Sequence, residues 1–294
     1  MKKKLNINKK IIPVSSPLIT KKDISYVVKS LKEGWVSSSG PYIEKFEEKF
    51  SKLVEKKYGI LVSNCTAALE IVVKSLRIKK NNEVIIPNFT IISNGLSVIK
   101  NNLKMVPVDC DLKTWNMNID EAIQKINKKT KAIIATHIYN YPLEIDRLKK
   151  ICKKKKIFLI EDAAEVIGLK YKKKYCGSYG DLSVFSFYAN KQITMGEGGI
   201  ICTNNKAIAD RCRALKNLCF GRKDRFNHDE IGWNYRATSM QAALGLSQLK
   251  RLDKIVSRKK QIGIIYYNLL KDNPYIYIPK PQLKNLDNIY WIVG

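Results

Sequence analysis

Lys191 stands alone in a chain where most lysines occur in runs, such as residues 153–156. It follows an apolar, strand-like segment, residues 182–187, and precedes a glycine-rich turn, residues 196–199. An amine with apolar neighbours has a disfavoured charged form, so its pKa falls and it can attack a carbonyl group. The alternative is a lysine whose ammonium reaches solvent along the protein surface. The sequence therefore offers Lys191 as a candidate nucleophile.

Two other predicted strand ends carry polar residues that suit the same chemistry. Asp162 ends an apolar run, and a carboxylate at the edge of a core needs a partner such as a protonated pyridine nitrogen. Cys65 and Thr66 follow another apolar run, at the start of a predicted helix, where free backbone N–H groups attract a phosphate. Taken singly, each feature is more often an ordinary helix cap. Together they match pyridoxal 5′-phosphate (PLP), which has an aldehyde, a ring nitrogen and a phosphate.

These three turns must lie at one edge of a sheet if they are to meet. Short apolar segments alternate with helical ones along the chain, which predicts an α/β fold with a mostly parallel sheet flanked by helices. The carboxyl ends of parallel strands then form one crevice. The strand-like segments are residues 58–63, 83–87, 104–109, 131–137, 157–161, 182–187 and 199–203, and the helical ones are residues 66–76, 93–100, 144–156 and 239–270.

The composition is strongly basic, with 54 Lys and Arg against 26 Asp and Glu and a formal net charge of +28. The lysines are spread through almost every segment and form no single stripe with interleaved aromatic residues. A nucleic-acid partner is therefore not favoured, and a genome rich in A and T is the simpler explanation. A basic surface still favours an anionic substrate such as a nucleotide diphosphate.

The seven cysteines give no sign of a disulfide framework or a metal site, because their number is odd and no C-x-x-C pair occurs. No segment reaches the roughly 18 apolar residues that a membrane span requires. The start of the chain is basic but lacks the apolar stretch of a secretory signal. We therefore expect a cytoplasmic protein with no metal and no membrane partner.

Several segments, in this order and spacing, resemble the DegT/DnrJ/EryC1/StrS family of PLP-dependent nucleotide-sugar aminotransferases. The resemblance runs from about residue 13 to the last residue and implies the fold type I aminotransferase architecture. Within the family, the pattern is most similar to the branch that makes GDP-perosamine. The matching segments are GWVSSSGPYIEKFEEKF (34–50), SNCTAALE (63–70), EVIIPNFT (83–90), EDAAEVIG (161–168), GDLSVFSFYANKQITMGEGG (180–199) and HDEIGWNYRATSMQAALGLSQL (228–249).

The resemblance implies roles for three residues around the cofactor ring. Lys191 matches the lysine that binds the cofactor aldehyde, and Asp162 matches the acid that binds the pyridine nitrogen. These two are the expected catalytic residues. Glu165 stands near the ring hydroxyl, where many members have Gln and the perosamine-forming branch has Glu.

Further matches concern the cofactor phosphate and the ring face. Cys65, Thr66 and Ser186 match positions that hold the phosphate, and Phe89 matches an aromatic residue that stacks on the ring. Asn234 matches an asparagine that reaches the phosphate of the neighbouring subunit's cofactor. The resemblance therefore implies a homodimer with shared active sites.

The activity that this resemblance implies is transamination of a 4-keto-6-deoxy nucleotide sugar with L-glutamate as the amino donor. The product would serve the synthesis of a polysaccharide such as an O-antigen. Alternatives are amination at another sugar position, a UDP- or dTDP-linked substrate, or an inactive family member. A related sugar dehydratase is disfavoured, because such enzymes often have His where this chain has Lys191.

We expect two domains. Residues 1–250 form a large PLP-binding α/β domain with an N-terminal arm, and residues 251–294 begin a small C-terminal domain. Family chains usually continue for several tens of residues beyond this point, so the small domain is expected to be incomplete, which puts turnover in doubt.

Overall fold

A computed structural model describes residues 13–221, 224–228 and 230–293. Most of the predicted N-terminal arm and the last residue, Gly294, lie outside the described residues. In chain order the described strands are β1 (Tyr58–Val62), β2 (Glu83–Pro87), β3 (Lys104–Val108), β4 (Thr130–Thr136), β5 (Phe158–Asp162), β6 (Lys170–Tyr171), β7 (Lys174–Tyr175), β8 (Leu182–Ser186), β9 (Gly199–Thr203), β10 (Gln282–Leu283) and β11 (Leu286–Asp287).

A seven-stranded sheet in the order β1-β9-β8-β5-β4-β2-β3 forms the centre of the fold. Strand β9 runs antiparallel to its neighbours β1 and β8, and the other adjacent pairs are parallel. The carboxyl ends of β1, β5 and β8 therefore point the same way. The prediction of an α/β fold with a mostly parallel sheet is confirmed.

Helices cover both faces of this sheet. The described helices are α1 (Lys21–Lys32), α2 (Pro41–Leu53), α3 (Cys65–Ser75), α4 (Ser93–Ile99), α5 (Ile119–Gln124), α6 (Ile145–Lys155), α7 (Lys206–Lys216), α8 (Ser239–Leu249) and α9 (Leu252–Leu270). Alternate residues of the central strands belong to two separate apolar clusters. Ile133 lies in the cluster that includes residues of α2, α5, α6 and α8, whereas Ile134 lies in the cluster that includes residues of α3, α4 and α7. Burial on both faces explains why the strands read as continuous apolar runs.

Helices α1, α2, α5 and α7 are not among the predicted elements. The predicted helical stretch 239–270 is two helices, with the break at Lys250 and Arg251. Near the end of the chain, Ile289 and Trp291 are buried in the same apolar cluster as α2. The division into domains at residue 250 stays a prediction.

None of the described helices is long and apolar enough to cross a membrane. All seven cysteines are free thiols. Among the described residues there is no group of three or more His, Cys, Asp or Glu side chains arranged to hold a metal ion.

A fully buried carboxylate, Glu161, fixes the end of β5 next to the predicted site. It accepts hydrogen bonds from the backbone N–H groups of Gly177, Tyr179 and Gly180. His137 Nδ1 accepts a hydrogen bond from the Leu143 backbone N–H, so the proton of the neutral ring lies on Nε2. This nitrogen donates to Glu161 Oε1 at 3.0 Å. Burial alone would raise the pKa of Glu161, but these hydrogen bonds hold it below its usual value.

The tight turn that presents these N–H groups depends on a glycine at position 177. Gly177 has φ +96°, and a Cβ atom there would lie 2.1 Å from Cζ of Phe185. We expect Gly177→Ala to lower the free energy of unfolding by about 3 kcal/mol, because an unfavourable φ adds to a steric clash. Urea unfolding followed by circular dichroism measures the loss.

The matched control is Gly34→Ala. Gly34 also has a positive φ, +76°, but a Cβ atom there would meet nothing within 4 Å. Its expected cost is about 1 kcal/mol, from the backbone alone. Equal losses in the two variants would contradict the assigned clash with Phe185.

Candidate active site

A cavity of about 320 Å³ lies at the carboxyl ends of β5 and β8, beside the start of α3. Six of the predicted site residues line it, and Phe89 and Asn234 are not among its lining residues. The six predicted residues in the lining are Cys65, Thr66, Asp162, Glu165, Ser186 and Lys191.

Lys191 lies in the loop after β8, and its backbone N–H donates to the Tyr188 carbonyl at 3.0 Å. Its Nζ lies 3.6 Å from the centroid of the Trp291 ring. Burial lowers the pKa of Lys191, and the negative charges of Glu165 and Asp162 oppose that shift. A lowered pKa increases the fraction of neutral amine, which is the nucleophilic form.

Asp162 is the last residue of β5 and is almost fully buried. Its Oδ1 accepts a hydrogen bond from the Ala164 backbone N–H at 3.1 Å. Burial raises the pKa of Asp162, and the shift is opposed by hydrogen bonds from Ala164 and Asn94 and by the electrostatic effect of Lys191 and His137. A cation placed against this carboxyl group would be stabilised by it.

Glu165 lies one turn beyond β5, and its Oε2 accepts the backbone N–H of Tyr139 at 2.7 Å. Tyr139 has φ +52°, an unusual conformation for a residue other than glycine. Burial raises the pKa of Glu165 to about 7, although Lys191 and the Tyr139 N–H favour its charged form. The carboxyl group therefore keeps its proton to a higher pH than an exposed glutamate does.

The start of α3 provides polar groups on the opposite side of the cavity. Asn64 caps the helix by accepting the Ala67 N–H at 2.8 Å. The hydroxyl groups of Thr66 and Ser93 lie 2.7 Å apart. Gly199 comes so close that a Cβ atom there would lie 2.8 Å from the Cys65 nitrogen. The helix start therefore combines free N–H groups, hydroxyl groups and a positive dipole end, which suits an anion.

The two other predicted phosphate contacts differ in character. Burial raises the pKa of the Cys65 thiol well above its usual range, so the thiol stays neutral at physiological pH. Ser186 ends β8, and its hydroxyl accepts the Tyr188 N–H at 3.4 Å. Ser186 therefore offers the cavity a hydrogen-bonding hydroxyl group. Cys65 lines the cavity with a neutral thiol, and its backbone N–H lies at the start of the helix.

Phe89 stands at the edge of a chain of aromatic rings. Its ring meets those of Trp115 and Tyr139, with centroids 6.3 and 6.0 Å away. Tyr139 in turn stacks on Trp291 at 5.8 Å. The ring that lies over Lys191 is thus that of Trp291, which the sequence did not single out.

Asn234 is exposed on the surface of the chain. It forms an isolated β-bridge with Asn217, and the next residue, Tyr235, accepts the Ser63 N–H at 2.9 Å through its carbonyl. The segment is therefore anchored to the end of β1, and Asn234 itself is not among the residues that line this chain's own cavity.

Two site residues escaped sequence reasoning because their relevance depends on contacts distant in sequence. Trp291 lies 100 positions from Lys191 and donates its indole N–H to the Asn190 carbonyl at 3.0 Å. Asn94 is fully buried in α4 beside Asp162. An apolar segment such as the one around Trp291 carries no local sign that it covers a catalytic group.

Comparison with known proteins gives consistent matches over nearly the whole chain. A family model described as the DegT/DnrJ/EryC1/StrS aminotransferase family matches residues 17–293. A GDP-perosamine synthase of Escherichia coli O157:H7 is 40% identical over 285 residues, which is 97% of this chain and 78% of the relative. A GDP-perosamine synthase of Vibrio cholerae is 38% identical over 264 residues, 90% of this chain and 72% of the relative.

A solved structure of Helicobacter pylori PseC, described as an aminotransferase involved in the biosynthesis of pseudoaminic acid, has the same fold. It superposes with a TM-score of 0.89 at 26% identity, covering 96% of this chain and 76% of that one.

The cavity residues fit the PLP expected from the sequence. Lys191 offers a buried amine of lowered pKa for the aldehyde, and Asp162 offers a buried carboxyl group for the ring nitrogen. The paired hydroxyl groups of Thr66 and Ser93 and the start of α3 suit the phosphate.

Glu165 makes the stability of the ligand-free protein depend on pH. Its folded-state pKa of about 7 exceeds the ordinary 4.5, so between these values the folded protein keeps a proton that the unfolded chain has released. Stability therefore falls as pH rises from 4.5 towards 7. Glu165→Gln removes this loss and keeps an acceptor for the Tyr139 N–H. We expect it to raise the free energy of unfolding by about 3 kcal/mol above neutral pH, with little effect in acid.

Urea unfolding of the ligand-free protein across this pH range measures the effect. Glu48→Gln, at an exposed position on α2, is the matched control and should keep the wild-type pH dependence. If Glu165→Gln also kept it, the buried, proton-binding state of Glu165 would be refuted.

Proposed function

Because the chain belongs to the DegT/DnrJ/EryC1/StrS aminotransferase family and is a PLP-dependent sugar aminotransferase, we propose that it aminates a GDP-linked 4-keto-6-deoxy sugar. The resemblance that the motifs suggested is confirmed by the family match. L-Glutamate is the proposed amino donor, and the product is a 4-amino-4,6-dideoxy sugar nucleotide. The GDP-perosamine synthases of two bacteria, at 40% and 38% identity, support this choice of substrate.

The observation that carries the proposal is the meeting of Lys191, Asp162 and the start of α3 around one cavity. PLP, when bound, supplies a carbonyl group that takes up an amine and a cationic ring that withdraws electrons from the reacting carbon. An amine, a carboxylate and an anion site are the three protein groups that such a cofactor requires.

Lys191 is the proposed acid–base residue. Its Nζ takes the proton from Cα of the amino donor and later, as an ammonium, returns a proton to C4 of the sugar. A catalytic amine works best when its pKa lies near the working pH, and burial lowers the pKa of Lys191 in that direction. The net exchange turns glutamate and the keto sugar into 2-oxoglutarate and the amino sugar.

Asp162 and Glu165 set the electrostatics around Lys191. The Asp162 carboxylate is proposed to hold the proton on the pyridine nitrogen, because an ion pair in a buried site favours the charged form of both partners. Glu165, held by the Tyr139 N–H, is proposed to face the ring hydroxyl. Thr66, Ser186 and the N–H groups at the start of α3 bind the phosphate.

The predicted homodimer with shared sites and the role of Phe89 on the ring face remain proposals. Two apolar lining residues of the cavity, Ile91 and Tyr188, are exposed in the single chain, so a partner subunit covering this face would bury them. Asn234 is exposed and available to such a partner. The free cysteines accord with the reducing cytoplasm, where sugar nucleotides for polysaccharides such as O-antigens are proposed to be aminated.

Incubation of the PLP-loaded protein with L-glutamate and GDP-4-keto-6-deoxymannose tests the proposed reaction. We expect mass spectrometry to show the sugar nucleotide with an amine in place of the carbonyl oxygen, together with an equal amount of 2-oxoglutarate. Lys191→Ala should lower the rate by about 10³-fold or more with the fold intact, since it removes the proton-transfer group.

The corresponding dTDP- and UDP-linked keto sugars serve as competing substrates. Faster conversion of either would contradict the proposed GDP substrate while leaving the sugar aminotransferase activity in place. Full activity of Lys191→Ala would contradict the role of that residue.

Mixing two defective variants tests the shared active site. Lys191→Ala loses the amine of its own site, and Asn234→Ala loses the group proposed to reach the partner's site. In a mixed dimer, the site of the Asn234→Ala subunit has its own Lys191 and receives Asn234 from the other subunit. We therefore expect activity to reappear on unfolding and refolding the two together, with one intact site in each mixed dimer.

Asn234→Ala refolded alone is the control. Failure of the mixture to exceed the summed activities of the separate variants, with mixed dimers present, would contradict a shared site.

A further inference from the structure

Asn94 is a fully buried polar residue of α4. Its side-chain nitrogen lies 2.9 Å from the Thr90 hydroxyl and 2.8 Å from the Thr136 hydroxyl. Thr136 is the register partner of Asp162 on the adjacent strand β4. The Asn94 side chain also contacts the Asp162 carboxyl group and lowers the pKa of that group against the effect of burial.

The Asn94 amide, oriented this way, leaves its oxygen without a hydrogen-bond partner among the described residues. A buried amide oxygen without a partner is unfavourable, because it has lost its hydrogen bonds to water. Oxygen and nitrogen of an amide have nearly the same shape, and hydrogen bonding decides between the two orientations. When they are exchanged, the oxygen accepts from the hydroxyl groups of Thr90 and Thr136, and the nitrogen is free to donate to Asp162.

We propose that Asn94 is a positioning residue that donates a hydrogen bond from its side-chain amide to the Asp162 carboxylate, with Thr90 and Thr136 fixing the orientation of the amide. The inference rests on the proposed pairing of Asp162 with the pyridine nitrogen. In addition, Asn94, a residue of α4 outside the cavity lining, controls how strongly Asp162 pairs with the ring nitrogen.

The consequence concerns the proton shared between Asp162 and the ring nitrogen. A hydrogen bond from Asn94 stabilises the ionised carboxylate, which keeps the proton on the ring. Without that bond the proton shifts towards Asp162, and the ring withdraws electrons less strongly. The ionisable groups that also face Asp162 are Lys191 from the loop after β8, His137 after β4, Glu165 after β5 and Cys65 on α3.

The test uses the full chain with PLP that carries ¹⁵N in its ring, and no sugar substrate. The ¹⁵N chemical shift reports whether the ring nitrogen is protonated, and titration of the ligand-free protein gives the dissociation constant of PLP. In Asn94→Leu, which is similar in volume and cannot donate, we expect the ¹⁵N shift to show a smaller protonated fraction of the ring nitrogen than in wild type. PLP affinity should fall about tenfold or more, the usual worth of a hydrogen bond to a charged group.

Thr136→Val is the second variant, which decides the question if Asn94→Leu does not fold. It removes one of the two hydroxyl groups that orient the amide and keeps the side-chain shape. The ¹⁵N chemical shift should therefore change in the same direction as in Asn94→Leu, but by a smaller amount. Asn101→Leu is the matched control. Asn101 donates to the Ser97 carbonyl just beyond α4, and its loss should lower stability without changing the ¹⁵N shift.

Asp162→Asn distinguishes a failure of the proposed role of Asp162 from a failure of the proposed role of Asn94. If it leaves the ring nitrogen protonated as in wild type, the proposed role of Asp162 fails. If it removes the proton but folded Asn94→Leu does not change the shift, only the role of Asn94 is refuted. A ring nitrogen that becomes more strongly protonated in Asn94→Leu would also refute it, because that result means that the Asn94 oxygen accepts a hydrogen bond from a protonated Asp162.

Discussion

The burial of one amine together with two carboxyl groups determines what this site can do. In a low-dielectric cavity each of these groups alone would lose its charge. The Lys191 amine and the two carboxyl groups limit that loss for each other, whereas Asp162 raises the pKa of Glu165 further. The balance lowers the pKa of Lys191 and raises the pKa of Glu165 to about 7, so both groups are poised to exchange protons. Such mutual adjustment of pKa values is characteristic of acid–base catalysis, and it explains why a solitary lysine follows an apolar strand in so lysine-rich a chain.

Two consecutive acidic residues of β5, Glu161 and Asp162, have different roles. Side chains alternate along a strand, so Glu161 lies on the face of Leu159, and Asp162 lies on the face of Ile160 beside α3. Glu161 binds three backbone N–H groups and His137, and it stabilises the turn that β5 packs against. Asp162, one residue later, ends the strand in the cavity. The hydrogen bonds to Glu161 therefore fix the backbone from which the Asp162 side chain enters the cavity.

Much of this arrangement could be predicted from the sequence, because local patterns specify it. The apolar strands and their order in the chain predicted the sheet, and polar residues at three strand ends predicted the cavity that Lys191, Asp162 and Thr66 now line. Other features depend on contacts between distant segments and have no local signature. The Trp291 ring over Lys191 and the Asn94 amide beside Asp162 are of this kind, and so is the placement of Phe89 against Trp115. Helix α2 escaped prediction for a related reason, since its buried Phe46 and Phe50 are recognised as core only once Phe187, just after β8, and Phe185 of β8 pack against them.

The central claim is that the Lys191 amine is the one that binds the cofactor covalently. Borohydride reduction of the PLP-loaded protein, followed by peptide mapping with mass spectrometry, tests it most directly. We expect the cofactor mass on the peptide that contains Lys191 and on no other lysine at comparable yield. A label distributed over surface lysines, with the Lys191 peptide unmodified, would contradict it.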